Sequence, residues 1–174
     1  METRLNTPFV NAIDLPVRFF DIKKEVLDII QRVGFKSNQI VCQTLEENSN
    51  DWHTGIGRID LLEDKIEQNY CYLNTELIGT QLGNLIKHYN CFRTRIMLMP
   101  PRQCYSIHAD PTPRLHLPII TNPQCWMVWP HNNECHRMSV GQLYFADTTK
   151  SHTFINGSEE DRIHVIFGVK KIGP

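Results

Sequence analysis

From Phe92 onward the chain is a series of short β-type runs, RTRIMLM, CYSIHAD, RLHLPIIT, CWMVW, QLYFADT, HTFIN and RIHVIFGV, divided by Pro, Gly, Asn and Asp. That many strands with short turns and no intervening helical period argue for a sandwich or jelly roll, in which two sheets enclose a core or a cavity. The first ninety residues read differently. An amphipathic helix with Val26, Leu27, Ile29, Ile30 and Val33 on its apolar face is expected after a cap at Asp21, with Gly34 as its stop. A second helix is expected from about Asn74 to His88, with Leu77, Ile78, Leu82, Leu85 and Ile86 as its stripe. Between the helices Gln39 to Thr44 reads as a strand, and EENSNDWHTGIGRID reads as a loop that borders a pocket. The expected architecture is mainly β with flanking helices: one domain over 1–174, in which a helical and strand-bearing part at 1–91 packs on a β core at 92–174 that carries the site.

Length and charge limit what such a domain does. At 174 residues the chain is long enough to bury roughly 70% of the surface its unfolded form exposes. Lys+Arg 18 against Asp+Glu 19 gives a net charge of −1, so the basic footprint of a nucleic-acid binder is missing and no nucleic acid is indicated. No stretch approaches the roughly 20 apolar residues of a membrane span, and no signal-peptide core opens the chain, so a soluble, cytoplasmic protein is expected. The six cysteines show no CxxC spacing and are expected to be reduced, mostly as packing residues. Asn156-Gly157 reads as a tight hairpin turn with positive φ.

Polar chemistry concentrates at 105–117, YSIHADPTPRLHL. With a strand period of two, Ser106, His108 and Asp110 share one face of the first run, and Arg114, His116, Pro118 and Ile120 share one face of the next. Burying imidazoles, a carboxylate and a guanidinium inside a barrel costs several kcal/mol unless they are paired or bound to something. A metal and an anion would satisfy them. His108-Ala-Asp110 is half of the two-histidine, one-carboxylate triad that holds Fe(II) and leaves positions open. The other half is expected in HTFINGSEEDR, where His152 is followed ten residues later by Arg162. If the Asn-Gly turn makes a hairpin, the arginine returns beside the histidine, ready for a bidentate grip on a carboxylate. Iron plus a dicarboxylate, namely 2-oxoglutarate, fits that set.

In order and spacing, H-A-D, R-L-H-L-P-I, D-T-T-K-S-H-T-F-I-N-G-S and D-R-I-H-V-I-F resemble the Fe(II)/2-oxoglutarate-dependent dioxygenases, within them the aspartyl/asparaginyl β-hydroxylase-like branch, over roughly residues 93–169. The resemblance implies a double-stranded β-helix (cupin-like jelly roll), with iron held by His108, Asp110 and His152. It implies that Arg162 grips the distal carboxylate of 2-oxoglutarate, that Arg114 and His116 help to hold this cosubstrate, and that dioxygen is the oxidant. Some members of the branch have glycine where Asp110 stands; this chain keeps the full triad, which also disfavours halogenation, since halogenases leave that position to halide. The implied activity is hydroxylation of an aspartyl, asparaginyl or other amino-acid substrate, in a protein, a peptide or free. The alternatives are oxidation of an unrelated small metabolite and a non-catalytic metal- or ligand-binding module.

Other polar residues receive plainer expectations. His164 shares a strand face with Arg162 and is expected as a packed, hydrogen-bonded histidine, with pocket lining as the alternative; Tyr105 and Ser106 are treated alike. His131 and His136, in HNNECHR, are expected at the surface. Asp147 is expected to shape a turn, and of Trp126 and Trp129 at most one is expected to face the cavity.

Overall fold

The computed structural model describes residues 8–62 and 64–170. Strand β1 (Val10–Ile13) is followed by helix α1 (Phe19–Val33), β2 (Gln39–Val41), β3 (Gln43–Thr44), β4 (Tyr72–Leu73) and helix α2 (Gln81–His88). Eight strands then follow: β5 (Phe92–Met99), β6 (Gln103–Cys104), β7 (Arg114–Ile120), β8 (Cys125–Trp129), β9 (Glu134–His136), β10 (Leu143–Ala146), β11 (Thr153–Asn156) and β12 (Arg162–Gly168). The larger sheet runs β1-β10-β7-β12-β5-β2 and the smaller β6-β11-β8-β9, while β3 and β4 pair alone. From β5 to β12 the chain crosses between the two sheets at almost every connection. This is a double-stranded β-helix, mainly β with flanking helices.

Side-chain alternation on the large sheet decides what lies where. Leu115, Leu117 and Ile119 of β7 and Ile163, Val165 and Phe167 of β12 join Ile22, Val26, Leu82 and Leu85 in one core between sheet and helices. Each such burial stabilises by about 1.5–3 kcal/mol. The residues between them, Arg114 and His116, and Arg162 and Ile166, face the other way and line a pocket inside the sandwich. A second core of Met99, Met127, Trp129, Tyr144 and Phe154 closes the sandwich. Pro118 stands in a central strand, where it cannot donate to a ladder; the register between β7 and β12 shifts at that point, between Ile163 and His164.

Several local expectations are corrected. Helix α1 starts at Phe19 with no side-chain cap, and Asp21 lies in its first turn; Leu27 is exposed, while Gly34 does end the helix at φ 74. The expected helix from Asn74 is broken, because Gly79 takes φ 83. Thr75–Leu77 forms a single 3-10 turn, Ile78 is exposed, and α2 begins after Thr80, whose hydroxyl accepts from Gly83 N. Gln39 to Thr44 is two short strands in different sheets. Asn156 and Gly157 are not among the positive-φ residues. Strands β11 and β12 are not a hairpin but lie in opposite sheets. The reason is the buried Asn156 side chain: its amide donates to the Met99, Pro100 and Glu160 carbonyls, and its oxygen accepts from Ser158 N and Oγ. That network binds the crossing loop to the end of β5.

All six cysteines are free, and only Cys42, Cys91 and Cys125 are buried packing residues; Cys71, Cys104 and Cys135 are exposed. Burial pushes the thiols of Cys42 and Cys91 up to about 12. Among the described residues no helix is long and apolar enough to cross a membrane.

Candidate metal centre and its pocket

His108 does not lie in a regular strand. It forms a two-residue bridge with His152, in which His108 N donates to His152 O at 3.0 Å and His152 N to His108 O at 2.8 Å. Asp110 is fixed next to it, its N–H donating to Thr148 O at 2.8 Å. One ligand atom from each of His108, Asp110 and His152 falls within 4.8 Å of the others. The two imidazoles are oriented by their other nitrogens: His108 Nδ1 meets Ser106 O at 2.8 Å and His152 Nδ1 meets Lys150 O at 3.0 Å. A carbonyl only accepts, so each Nδ1 carries a proton, and in the neutral ring the lone pair is left on Nε2. Burial, ahead of every other influence, lowers the His152 pKa below its usual 6.5 and so favours the neutral, ligating form. The donor set fits a divalent iron with open positions.

The same pocket is lined by Arg95, Tyr105, Arg114, His116, Phe154 and Arg162. It runs from His108, whose side chain is 42% exposed, to Arg162 at 1%. Arg162 lies over the Phe154 ring, 3.5 Å from its centroid, and donates from Nη2 to His164 Nδ1, while its Nε has no partner among the described residues. Burial pulls this guanidinium down to about 9, so it stays charged at neutral pH. His116 is buried with both ring nitrogens unpartnered among the described residues. Burial first, then the nearby charge of Arg162, holds the pKa of both His116 and His164 well below 6.5. Arg162 and His116 thus offer a buried anion site, although the arginine reaches it from the sheet opposite His152 rather than around a hairpin.

Arg114 also faces the pocket, but the expectation that its charge needs an outside anion does not hold. Its Nη2 donates to Glu67 Oε1 at 2.6 Å and its Nε lies 3.3 Å from Asp110 Oδ2. Glu67 and Arg95 were not anticipated. Glu67 opens a single 3-10 turn, Glu67–Asn69, too short to carry a periodic sequence signal. Arg95 was legible: in RTRIMLM it interrupts an apolar strand in the same way as Arg114, and the period of two would have placed it inward. It is buried, held by the neutral Gln39 Oε1 at 2.9 Å, and has no carboxylate within ion-pair distance among the described residues. Burial, then repulsion by Arg93 and Arg114, draws it down to about 9.

The remaining candidates divide. Tyr105 lines the pocket, whereas Ser106 is exposed and contributes only its carbonyl. His164 is packed behind Arg162. His131 is exposed, but His136 is buried in β9 against Tyr144, correcting its surface placement. Asp147 does shape a turn, accepting from Thr149 N at 3.2 Å. Neither Trp126 nor Trp129 lines the pocket; Trp129 is buried, with Nε1 donating to Asp147 O. The loop before Asp60 reaches the pocket wall through Gly57 O, which accepts from the pocket-lining Arg95 Nη1 at 3.4 Å.

A search of curated proteins found none that matches in sequence. Among solved structures, the chain is similar to the viral collagen prolyl hydroxylase vCPH of Paramecium bursaria Chlorella virus-1, solved as a 2OG complex. Identity is 10%, the match covers 92% of this chain and 97% of that one, and the TM-score is 0.55. It is also similar to AviO1 from Streptomyces viridochromogenes Tue57, at 11% identity over 98% of this chain and 94% of that one, with a TM-score of 0.50. At such identities these two relatives speak to the fold alone. The sequence pattern itself is matched by a family model across residues 19–171, nearly the whole chain and all of the pocket just described. This chain belongs to the aspartyl/asparaginyl beta-hydroxylase family.

Proposed function

We propose that this protein is an Fe(II)- and 2-oxoglutarate-dependent dioxygenase that hydroxylates an aspartyl, asparaginyl or other amino-acid substrate, free or within a peptide. Membership of a hydroxylase family supports oxidative chemistry. The observation that carries the finer reading is the convergence of His108, Asp110 and His152 on one point at the mouth of a pocket whose deepest charge is Arg162. A bound iron would supply the activation of dioxygen, coupled to conversion of 2-oxoglutarate to succinate and CO2 and to insertion of one oxygen atom into a substrate C–H bond.

The protein's own part is to bind and to aim. His108, Asp110 and His152 would hold the metal at the mouth of the pocket. Arg162 takes the distal carboxylate of 2-oxoglutarate through its unpartnered Nε edge, held rigid by Phe154 below and His164 beside it. His116 offers a neutral ring nitrogen to the same ligand, and Arg114 flanks that volume. Tyr105, Phe154 and Ile166 give the wall an apolar part that excludes water. The whole chain is read as a single domain working in the reducing cytoplasm.

The test is incubation with Fe(II), 2-oxoglutarate, dioxygen and candidate amino acids or peptides. A product heavier by one oxygen, accompanied by faster succinate formation, is expected. Metal binding without succinate formation under any of these conditions would favour a non-catalytic binding module instead.

A further inference from the structure

Glu67 lies 43 positions before Asp110 in sequence, at the start of a 3-10 turn (Glu67–Asn69) in the N-terminal half, yet it is 1% exposed at the centre of an ion network that ends on Asp110. Its Oε1 accepts from Arg93 Nη1 at 2.8 Å and from Arg114 Nη2 at 2.6 Å, and its Oε2 accepts from Thr112 Oγ1 at 2.8 Å. Arg114 then passes its remaining edge to Asp110, Nε to Oδ2 at 3.3 Å. The other carboxylate oxygen, Oδ1, lies 4.0 Å from His108 Nε2. Burial alone would push the Glu67 carboxyl up, but Arg114, Thr112 and Arg93 together outweigh it and hold the pKa below the usual range. The backbone supports the same arrangement: Arg93 sits in β5 at φ 49, where the register with β12 shifts, and its N–H donates to Tyr70 O at 2.7 Å. A left-handed residue inside a strand costs of order 1–3 kcal/mol and persists only where its surroundings enforce it.

We infer that Glu67 is a positioning residue for the metal centre: by neutralising Arg114 it lets that guanidinium hold Asp110 Oδ2 without competing for the charge that Oδ1 presents to the metal. The inference rests on the metal-dependent reading above and deepens it. Within the bonded network two guanidiniums, Arg93 and Arg114, stand against two carboxylates, Glu67 and Asp110, and the buried Arg95 nearby adds a further positive charge. Without the Glu67 charge, Arg114 and Arg93 would face a divalent cation with only Asp110 between them. Loss of a group that hydrogen-bonds a metal ligand directly changes metal affinity by about 10–100-fold; Glu67 acts one residue further out, through Arg114, so the lower end of that range is expected.

Two charge-neutralising variants, of which Glu67→Gln is isosteric, separate the charge of Glu67 from its packing. Metal affinity is read on the full chain by anaerobic calorimetry with Fe(II) and by Mn(II) titration followed by electron paramagnetic resonance, with folding checked by circular dichroism. Glu67→Gln should raise the metal Kd about tenfold or more. Arg93→Gln removes the opposite charge from the same ion pair, and should leave the Kd unchanged or lower it. The double variant Glu67→Gln/Arg93→Gln restores the balance and should return to within about threefold of the wild-type Kd. A purely structural ion pair predicts the same weakening in both single variants and no rescue, and either result overturns the inference, as does a folded Glu67→Gln protein with wild-type Kd. If Glu67→Gln does not fold, the Arg93→Gln and double variants still decide, since weakening in both rejects the charge argument. A wild-type chain that binds neither metal overturns the metal reading first, and this inference with it.

Discussion

His108 and His152 exchange both backbone hydrogen bonds across an isolated bridge, which brings their rings to 4.5 Å between centroids. With each Nδ1 committed to a carbonyl, the two remaining nitrogens and Asp110 converge. Replacing any one of His108, Asp110 or His152 by alanine is expected to lower iron affinity by at least about 100-fold, while the backbone bridge keeps the fold. Iron content after anaerobic loading and desalting checks this. Three variants that all retain iron would end the assignment.

Arg162 is the charge that the proposed cosubstrate should meet. Arg162→Ala is expected to raise the apparent KM for 2-oxoglutarate by about 100-fold or more, leaving iron affinity nearly unchanged because the residue is not a ligand. Arg162→Lys should recover only part of the loss, since an ammonium offers a point charge in place of a planar fork and cannot stack on Phe154 in the same way. Equal 2-oxoglutarate dependence in wild type and Arg162→Ala would reject the role.

Arg95 is a buried cation on the pocket wall without a carboxylate in ion-pair distance among the described residues. Arg95→Met is therefore expected to stabilise the ligand-free protein, or leave it unchanged, while weakening the binding of small dicarboxylates at least tenfold. Thermal-shift titration with succinate reads both effects. Unaltered dicarboxylate binding would show that Arg95 belongs to the scaffold.

Stability should fall in mild acid. His116 and His164 have folded pKa values well below 6.5, so the folded state binds fewer protons than the unfolded chain once pH drops beneath that value. Their stabilisation is complete above about 6.5 and decreases below it, by up to about 1.4 kcal/mol per pH unit for each histidine. Urea unfolding at pH 7.5, 6.5 and 5.5 measures the slope, and His164→Gln should remove one proton's share. A slope unaffected by that change would mean that His164 titrates normally.

Asn156 holds the loop that carries the chain from one sheet to the other. Asn156→Ala removes the two N–H donors that the Met99, Pro100 and Glu160 carbonyls share, and the acceptor for Ser158, and is expected to cost about 2–4 kcal/mol. Denaturant midpoints test it, and a loss below about 1 kcal/mol would show that the crossing is set elsewhere.

What the sequence determined by itself is what the backbone period dictates. Alternation within RLHLPII and RIHVIFG is enough to put Arg114 and His116, and Arg162 and His164, on the face opposite the leucines and valines, and the strand series is enough for the two-sheet architecture. His108 and Asp110 are two residues apart, so their proximity was local as well. Tertiary structure decided the rest, because partner choice between distant segments depends on which strands end up facing one another. It placed His152 across from His108, sent Arg162 to the opposite sheet through the Asn156 network, and gave Arg114 a carboxylate 47 residues away in Glu67. A charge pattern announces that a buried arginine needs an anion; only the packed chain determines whether that anion is a ligand or another side chain.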